Sequence, residues 1–400
     1  MATDPVLDDV VVIGAGIVGL ATAYRLLEAR PGSQVVVLER EDRVAAHQSS
    51  HNSGVLHAGL YYPPGSAKAR WCRQGKVALE RFCDEEGVPV RRSGKLVVAV
   101  DRDELPRLRD LATRARQNGA PVETLGPDGL RDHEPHVTGL AGVWSPETAV
   151  TDFGVVAEAL RRRIVTLGGQ VLLHTPVTGL REDPDEVRLV TPLGPRRARI
   201  AIACAGPWAD RVAAMSGPAP PERIVPIRGS WLELRPALRH LVRGNVYPVP
   251  RPGLPFLGVH LTRRLDDRIW IGPNAVLTRS RDGGRTAAWR DLADTLRFTG
   301  TWRLGARHAG TAAGEFLRDR CLAATVREVQ RYVPAVERRD VRRGPSGIRA
   351  QAVRPDGTLV EDFELRASGR VLHLLNAPSP AATASFAIGE ELARRALARA

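Results

Sequence analysis

The chain is short of cysteine and lysine and has no long apolar run, and each shortage removes a class of protein. Its four cysteines, Cys72, Cys83, Cys204 and Cys321, show no CxxC or ligand-like spacing. That pattern argues against a disulfide framework and against a cysteine-based metal site, and reads as reduced packing residues. No metal is expected. The uncharged run from Val10 to Tyr24 is interrupted by glycines and is shorter than the ~20 apolar residues a membrane helix needs. It also follows Asp8 and Asp9, where a signal peptide wants a basic start. The expectation is a cytoplasmic protein, or one peripheral on the inner face of the membrane.

Arginine far outnumbers lysine and supplies most of a formal net charge of +13. It is spread along the chain and not gathered in a tail, and no nucleic-acid-binding module accompanies it. Nucleic acid is therefore not an expected partner. The excess reads as solvated surface, with an anionic substrate or anionic lipid as the remaining uses. An apolar fraction of 43% and a charged fraction of 26% are ordinary for a folded protein, so disorder is not expected. The length of 400 residues allows two domains, and there is no internal repeat or low-complexity segment.

The chain opens as a βαβ unit. Asp9 to Ile13 is a buried-strand run, Leu20 to Ala29 a helix broken by Pro31-Gly32, and Gln34 to Glu39 a second strand. Residues 43–75 read as an extended loop, followed by a helix from Lys76 to Glu86 and a strand from Gly94 to Val100. An amphipathic helix is expected from Asp103 to Asn118 and another helix from Phe153 to Leu167. A strand follows at Val171 to Leu173, then a β pair at Val187–Val190 and Arg199–Cys204. Short β runs from Ile224 to Ile271 suggest an antiparallel sheet. Two helical stretches occupy 285–335, a buried strand lies at Val371–Leu375, and a helix closes the chain over Ala382–Ala398.

The expected fold is α/β. A discontinuous Rossmann-type cofactor domain (1–90, 148–220 and 340–400) receives an inserted α+β substrate domain (91–147 and 221–339) built on an antiparallel sheet.

Gly14, Gly16 and Gly19 form a GxGxxG turn between the first strand and its helix. The first glycine permits the tight turn, the second a close approach of backbone to a diphosphate, and the third close helix–strand contact. The amide groups of Ile17 and Val18 then face the diphosphate. Glu39, 20 residues after Gly19 at the end of the second strand, is placed to bind a ribose hydroxyl, and disfavours a 2′-phosphate. The motif establishes a dinucleotide and leaves NAD or FAD open. Its place at the start of the chain favours FAD.

The stretch His47-Gln48-Ser49-Ser50-His51-Asn52-Ser53-Gly54-Val55-Leu56-His57-Ala58-Gly59-Leu60-Tyr61-Tyr62 closely resembles the L-2-hydroxyglutarate oxidase/dehydrogenase family of D-amino-acid-oxidase-like flavoproteins. Further matching runs are Ser93 to Leu96, Tyr247 to Pro250, Pro255 to Thr262, Gly272 to Leu277, Gly347 to Ala352 and Leu375 to Ser385. The resemblance implies an FAD domain with a substrate domain over the flavin face. It implies oxidation of L-2-hydroxyglutarate to 2-oxoglutarate, with electrons passing to oxygen, a quinone or another acceptor.

By that resemblance the cofactor contacts extend to Arg40, Ser50, Asn52, Ser53, Gly54, Val177, Ala205, Gly206, Trp208 and Gly347. The loop Pro380, Ala381, Ala382 and Thr383 leads into the last helix, where amide groups can stabilise negative charge on a flavin. Some relatives tether flavin to a cysteine in the segment that here holds Arg349. No cysteine follows Cys321, so non-covalent FAD is expected.

Oxidation of an alcohol needs a base for the hydroxyl proton, and a neutral imidazole suits that task near neutrality. His57 is the first candidate and His260 the second. His51 reads as structural or flavin-facing. An anionic substrate should meet cations, and Arg349 leads because a guanidinium pairs bidentately with a carboxylate. Lys68 and Arg228 are further cations, and Tyr61, Tyr62 and Asn274 further hydrogen-bonding candidates.

The chain departs from the family pattern at Pro207-Trp208, Ser230-Trp231 and Ala149 to Phe153. A tryptophan for a tyrosine removes a hydroxyl that a site can use to discriminate. The alternatives of an amino acid, an amine or glycerol 3-phosphate as substrate stay open, as does a non-catalytic flavin-binding subunit.

Overall fold

The computed structural model describes residues 7–251, 258–283 and 289–399. Part of one matching run, Pro255, Phe256 and Leu257, lies outside the described residues. The opening unit forms the centre of a sheet. Strand Leu7–Ile13 lies between Val35–Leu38 and Gly194–Ala203, parallel to both, and Gln170–Leu172 extends the sheet in parallel beyond Val35–Leu38. The last strand, Val371–Asn376, runs parallel to the far end of Gly194–Ala203. Val10–Ile13 and Val35–Leu38 thus read as continuous apolar strands because both faces are buried.

Helix Ile17–Ala29 packs on helices Phe153–Thr166 and Ser385–Leu397. Leu20, Leu26, Leu27, Leu160, Phe386 and Leu392 share one core there. Contact with the last helix is backbone to backbone at Gly389, where a Cβ would lie 2.8 Å from Thr22 N. Residues from the two ends of the chain therefore hold the opening glycine turn in place.

The second sheet has nine strands. Val276–Leu277, Arg223–Leu234, Ile269–Gly272, His260–Arg263, Asn245–Pro248, Lys95–Ala99, Ala141–Ser145 and Glu123–Leu125 follow in that order, with Val341–Val353 paired on Arg223–Leu234. It is antiparallel except where Asn245–Pro248 runs parallel to Lys95–Ala99. Leu96, Val98, Val246 and Leu261 pack towards Val326 and Val329 on one face. Val97, Ala99 and Tyr247 pack towards Leu108, Leu111, Ala58 and Leu60 on the other. Alternation of side chains puts Lys95 on the face of Val97, towards the 57–62 loop.

A small sheet of Val55–Leu56, Ala149–Thr151 and Val90–Arg92 lies beside that loop. The buried Arg281 ties the second sheet's outer loop to the first unit, pairing with Asp210 and donating to the Pro207 carbonyl at 2.8 Å.

Several elements differ from the sequence expectation, among them the following three. The helix expected from Lys76 begins nine residues earlier, as Ala67–Glu85, because the Ser66 hydroxyl caps it by accepting from Ala69 N at 3.2 Å. Strand Val341–Val353, not expected as an element, pairs along Arg223–Leu234 and carries the segment of Arg349 into the second sheet. The 285–335 region, read as two helical stretches, holds four described helices: Trp289–Arg297, Thr299–Arg307, Ala309–Arg320 and Leu322–Gln330.

Candidate active site

The glycine turn is shaped for backbone. A Cβ on Gly14 would sit 2.5 Å from the Cys204 carbonyl oxygen, and one on Gly19 would sit 2.0 Å from the Gly14 carbonyl oxygen. Gly14 also holds φ +106°, a conformation that side chains rarely adopt. Helix Ile17–Ala29 has no side-chain cap at Gly16, although Ile17 N donates to Ser49 Oγ at 2.9 Å. Glu39 is buried at the strand end, where its carboxylate accepts from Ala15 N at 2.7 Å and Glu41 N at 3.0 Å. Burial pushes that carboxyl up and the two amides work against it. An adenine dinucleotide fits these residues: a helix start with no side-chain cap at Gly16, glycines where a side chain would collide, and a buried acid next to the turn.

Around this turn the Trp208 ring lies under the Arg40 guanidinium, 4.2 Å away, with His47 at 4.8 Å. Ala205 and Gly206 turn the chain from strand Gly194–Ala203 towards Trp208. Val177 packs on the core at the outer side of the sheet. Ser50, Asn52 and His51 spend their polar atoms on the 45–54 loop itself. Ser50 Oγ donates to the Ala45 carbonyl, Asn52 Nδ2 to the Gln48 and Ser49 carbonyls, and His51 Nδ1 lies 2.7 Å from the His47 carbonyl. Asn52 Oδ1 accepts from Gly54 N, holding the turn that carries Ser53. Gly347 touches this loop, since a Cβ there would meet the His51 carbonyl oxygen at 2.2 Å.

His57 is fixed by its backbone. Its N–H donates to Thr383 Oγ1 at 3.1 Å, and its carbonyl accepts from the Cys72 thiol at 3.2 Å. Thr383 also donates to the Val55 carbonyl, so the turn of Pro380, Ala381 and Ala382 before the last helix is tied to the histidine loop.

The His57 ring faces the second sheet. Nδ1 lies 3.4 Å from Lys95 Nζ. His260 stacks on Tyr247 at 3.9 Å, and its Nδ1 lies 2.9 Å from the Gly258 carbonyl. A carbonyl only accepts, so that nitrogen carries the proton and Nε2 of His260 is the acceptor. Burial pushes both imidazoles down, His260 to about 3, and Lys95 adds to the effect on each when it carries a charge. Both rings are therefore neutral near pH 7. Arg349 is enclosed near His260, and burial lowers its guanidinium to about 10 against the pull of Glu315. The buried Tyr61 hydroxyl has no hydrogen-bond partner among the described residues.

The structure thus brings His57, His260, Tyr61 and Arg349 together. Tyr62 and Lys68 form a neighbouring pair, with Lys68 Nζ 6.0 Å from the Tyr62 ring and the Lys68 amide held by Asp362. Arg228 and Asn274 are not brought to the histidines. Arg228 pairs with Asp319 at 2.7 Å, while Asn274 donates to Asp319 at 2.8 Å and accepts from Ser230 N. They line a separate cavity with Trp231 and Thr325. The reason is sheet periodicity: Arg349 pairs with Ile227, and Arg228 with Ile348, so the two arginines project from opposite faces.

Sequence reasoning passed over three residues. Lys95 and Tyr247 stood in quoted runs without a role, and Ser49 was not singled out as the hydroxyl at the helix start. The signal for Lys95 was the rarity of lysine itself, since Lys68, Lys76 and Lys95 are the only ones.

Of the departures from the family pattern, Ala149 to Thr151 pairs with Val55–Leu56 beside the His57 loop, and the other two lie elsewhere. Trp208 sits at the nucleotide end, and Trp231 packs on Trp270. Asp152 caps helix Phe153–Thr166 through Gly154 N at 2.8 Å.

Residues 9–395 match the family model described as FAD dependent oxidoreductase. The chain is 42% identical, over 98% of its length and 93% of that protein, to the mitochondrial L-2-hydroxyglutarate dehydrogenase of Caenorhabditis elegans. It is 39% identical to the L-2-hydroxyglutarate dehydrogenase of Escherichia coli K12, covering 96% of this chain and 92% of that one. Among solved structures it is similar to the dithionite-reduced, FAD-bound L-alpha-glycerophosphate oxidase of Mycoplasma pneumoniae. That likeness has a TM-score of 0.80 at 21% identity, over 98% of this chain and 95% of that one, and shows the fold.

Proposed function

The chain belongs to the L-2-hydroxyglutarate dehydrogenase family of FAD-dependent oxidoreductases, and from that premise we propose that it oxidises L-2-hydroxyglutarate to 2-oxoglutarate with His57 as the base. The observation that carries this reading is the buried His260 with the half-buried His57, Tyr61 and Arg349 around it, beside a dinucleotide cradle. FAD, held non-covalently by Gly14, Gly16, Gly19, Glu39 and the turn before the last helix, supplies the hydride acceptor when bound. The protein supplies the rest. Arg349 pairs with a substrate carboxylate, and Tyr61 offers its unpaired hydroxyl to the same anion. His57, kept neutral by burial, takes the hydroxyl proton as the C=O bond forms. His260 accepts through Nε2, and its ring is held flat by Tyr247.

Anaerobic addition of L-2-hydroxyglutarate should bleach the visible flavin band of the purified holoprotein. No bleaching with it, together with bleaching by an amino acid or another hydroxy acid, would overturn the substrate. Acid precipitation should release all the flavin into solution; yellow colour in the pellet would overturn the non-covalent assignment.

No described helix is long and apolar enough to cross a membrane. A peripheral contact at the inner face, consistent with a quinone acceptor, draws support from one surface. Trp289, Trp302, Phe316 and Leu317 are more than half exposed on helices that also carry the exposed Arg290, Arg297, Arg303, Arg307 and Arg320. Apolar side chains among cations suit an anionic lipid surface. Co-sedimentation with anionic but not neutral vesicles is the expected result, and equal recovery in both supernatants would remove the contact.

A further inference from the structure

A histidine that works as a base through Nε2 needs its other ring nitrogen held in the protonated tautomer. A carboxylate or a carbonyl usually does this by accepting the Nδ1 proton. At His57 the group at that nitrogen is the amine of Lys95, 3.4 Å away. Its charge decides what the imidazole can do. An ammonium has three donors and no acceptor, so it would donate to Nδ1 and leave the proton on Nε2, the wrong tautomer for a base. A neutral amine has a lone pair and can accept from Nδ1–H.

The surroundings select the neutral amine. Lys95 is 1% exposed, in mid-sheet between Asn245–Pro248 and Ala141–Ser145. The groups facing it are His57, Tyr61 and Cys72 from the first unit and Tyr247 and His260 from the second sheet, with Arg349 beyond His260. It forms no ion pair with a carboxylate among the described residues.

The Tyr61 and Tyr247 rings, 5.0 and 4.3 Å away, favour a cation, but neither supplies a counter-charge. Burying an ion without a counter-ion costs more than ring contacts return. Desolvation therefore prevails, and burial lowers the amine to about 7 with only the Cys72 thiol pulling the other way.

We propose that Lys95 is a positioning residue that acts through His57: its neutral amine accepts the Nδ1 proton while the imidazole takes the substrate hydroxyl proton on Nε2. The proposal rests on the reading of His57 as base. The substrate O–H and the His57 Nδ1–H bonds break, and Nε2–H and Nζ–H bonds form. One proton passes from substrate to Lys95, and the imidazole ends neutral. The ammonium so formed lies near an anionic substrate, which offsets the cost of charging a buried amine.

Because the chain has only three lysines, lysine labelled with 13C at Cε gives three signals in the FAD-loaded protein, assigned with Lys68→Arg and Lys76→Arg. The expected result is one signal that titrates near pH 7, belonging to Lys95. A Lys95 signal that stays charged above pH 9 would overturn the proposal. This readout needs no turnover, so it stands apart from the identity of the substrate.

In anaerobic flavin reduction at saturating substrate, Lys95→Met and Lys95→Arg should both slow bleaching about 100-fold or more. The inflection near pH 7 should vanish, and the Kd for 2-oxoglutarate should move little. Rescue by Lys95→Arg, or a large rise in Kd with an intact saturating rate, would instead make Lys95 a carboxylate anchor and overturn the relay. A wild-type protein that does not bleach with L-2-hydroxyglutarate, yet shows the titrating lysine, would remove the substrate reading and leave the relay supported.

Discussion

The nucleotide cradle and the histidine pocket lie in one molecule and are built in opposite ways. The cradle comes mostly from one stretch, Gly14 to Glu39, and works by the absence of side chains: backbone amides and carbonyls approach within distances that no Cβ allows. The pocket draws His57 from a loop, Lys95 and Tyr247 from parallel neighbours, His260 from the next strand and Arg349 from a strand near the chain's end. It works through the protonation states that burial imposes on side chains. A site of the first kind should fail by collision, and one of the second by loss of a charge or a proton.

The largest effect on cofactor binding should come from Gly19→Val. The new side chain meets the Gly14 carbonyl, so FAD affinity should fall about 100-fold or more. Fluorescence titration of the apoprotein measures it, and a variant that purifies fully yellow would break the cradle side of the comparison. Next, His57→Ala should keep FAD and slow anaerobic flavin reduction by about 10²–10⁴-fold. An unchanged rate would remove His57 as base. Arg349→Leu should weaken 2-oxoglutarate binding, read from the flavin spectrum, by about 30-fold or more, since the half-buried pair of guanidinium and carboxylate loses one partner.

Protonation gives a smaller and more specific test. His260 falls from an ordinary value of 6.5 to about 3 in the fold, so the unfolded chain takes up the proton first. The contribution of the neutral ring is complete above pH 6.5 and is lost as pH falls from there towards 3. The slope reaches up to ~1.4 kcal/mol per pH unit. Holoprotein Tm should therefore drop between pH 7 and 4.5 more steeply than in His260→Gln, and parallel curves would contradict the buried neutral ring. The smallest effect belongs to Arg228→Ala. Arg228 is partly exposed and paired with Asp319 on the other sheet face, so substrate KM should change less than about five-fold. A larger change would put Arg228 back in the pocket.

The cradle was largely legible because its constraints are short-range. Three glycines at fixed spacing, a strand before them and an acid after them specify one local geometry. The pocket was legible only in part. His57 and Arg349 stood out through the family resemblance, but Arg228 and Arg349 looked equivalent as isolated arginines. Their separation follows from the pairing of two strands more than a hundred residues apart. Lys95 could not be given a role because nothing local shows that a parallel strand pair lays Tyr247 over it, or that His57 turns Nδ1 towards it. The buried Arg281–Asp210 pair escaped notice for the same reason.

The amino-acid sequence by itself determined the dinucleotide cradle, the class of fold and the family. Glycine spacing, strand hydrophobicity and long matching runs are properties of neighbouring residues. Tertiary structure decided which arginine reaches the histidines, which tautomer His260 holds, and what group stands behind His57. Those depend on strand register and on how completely water is excluded, and burial is a property of the whole fold.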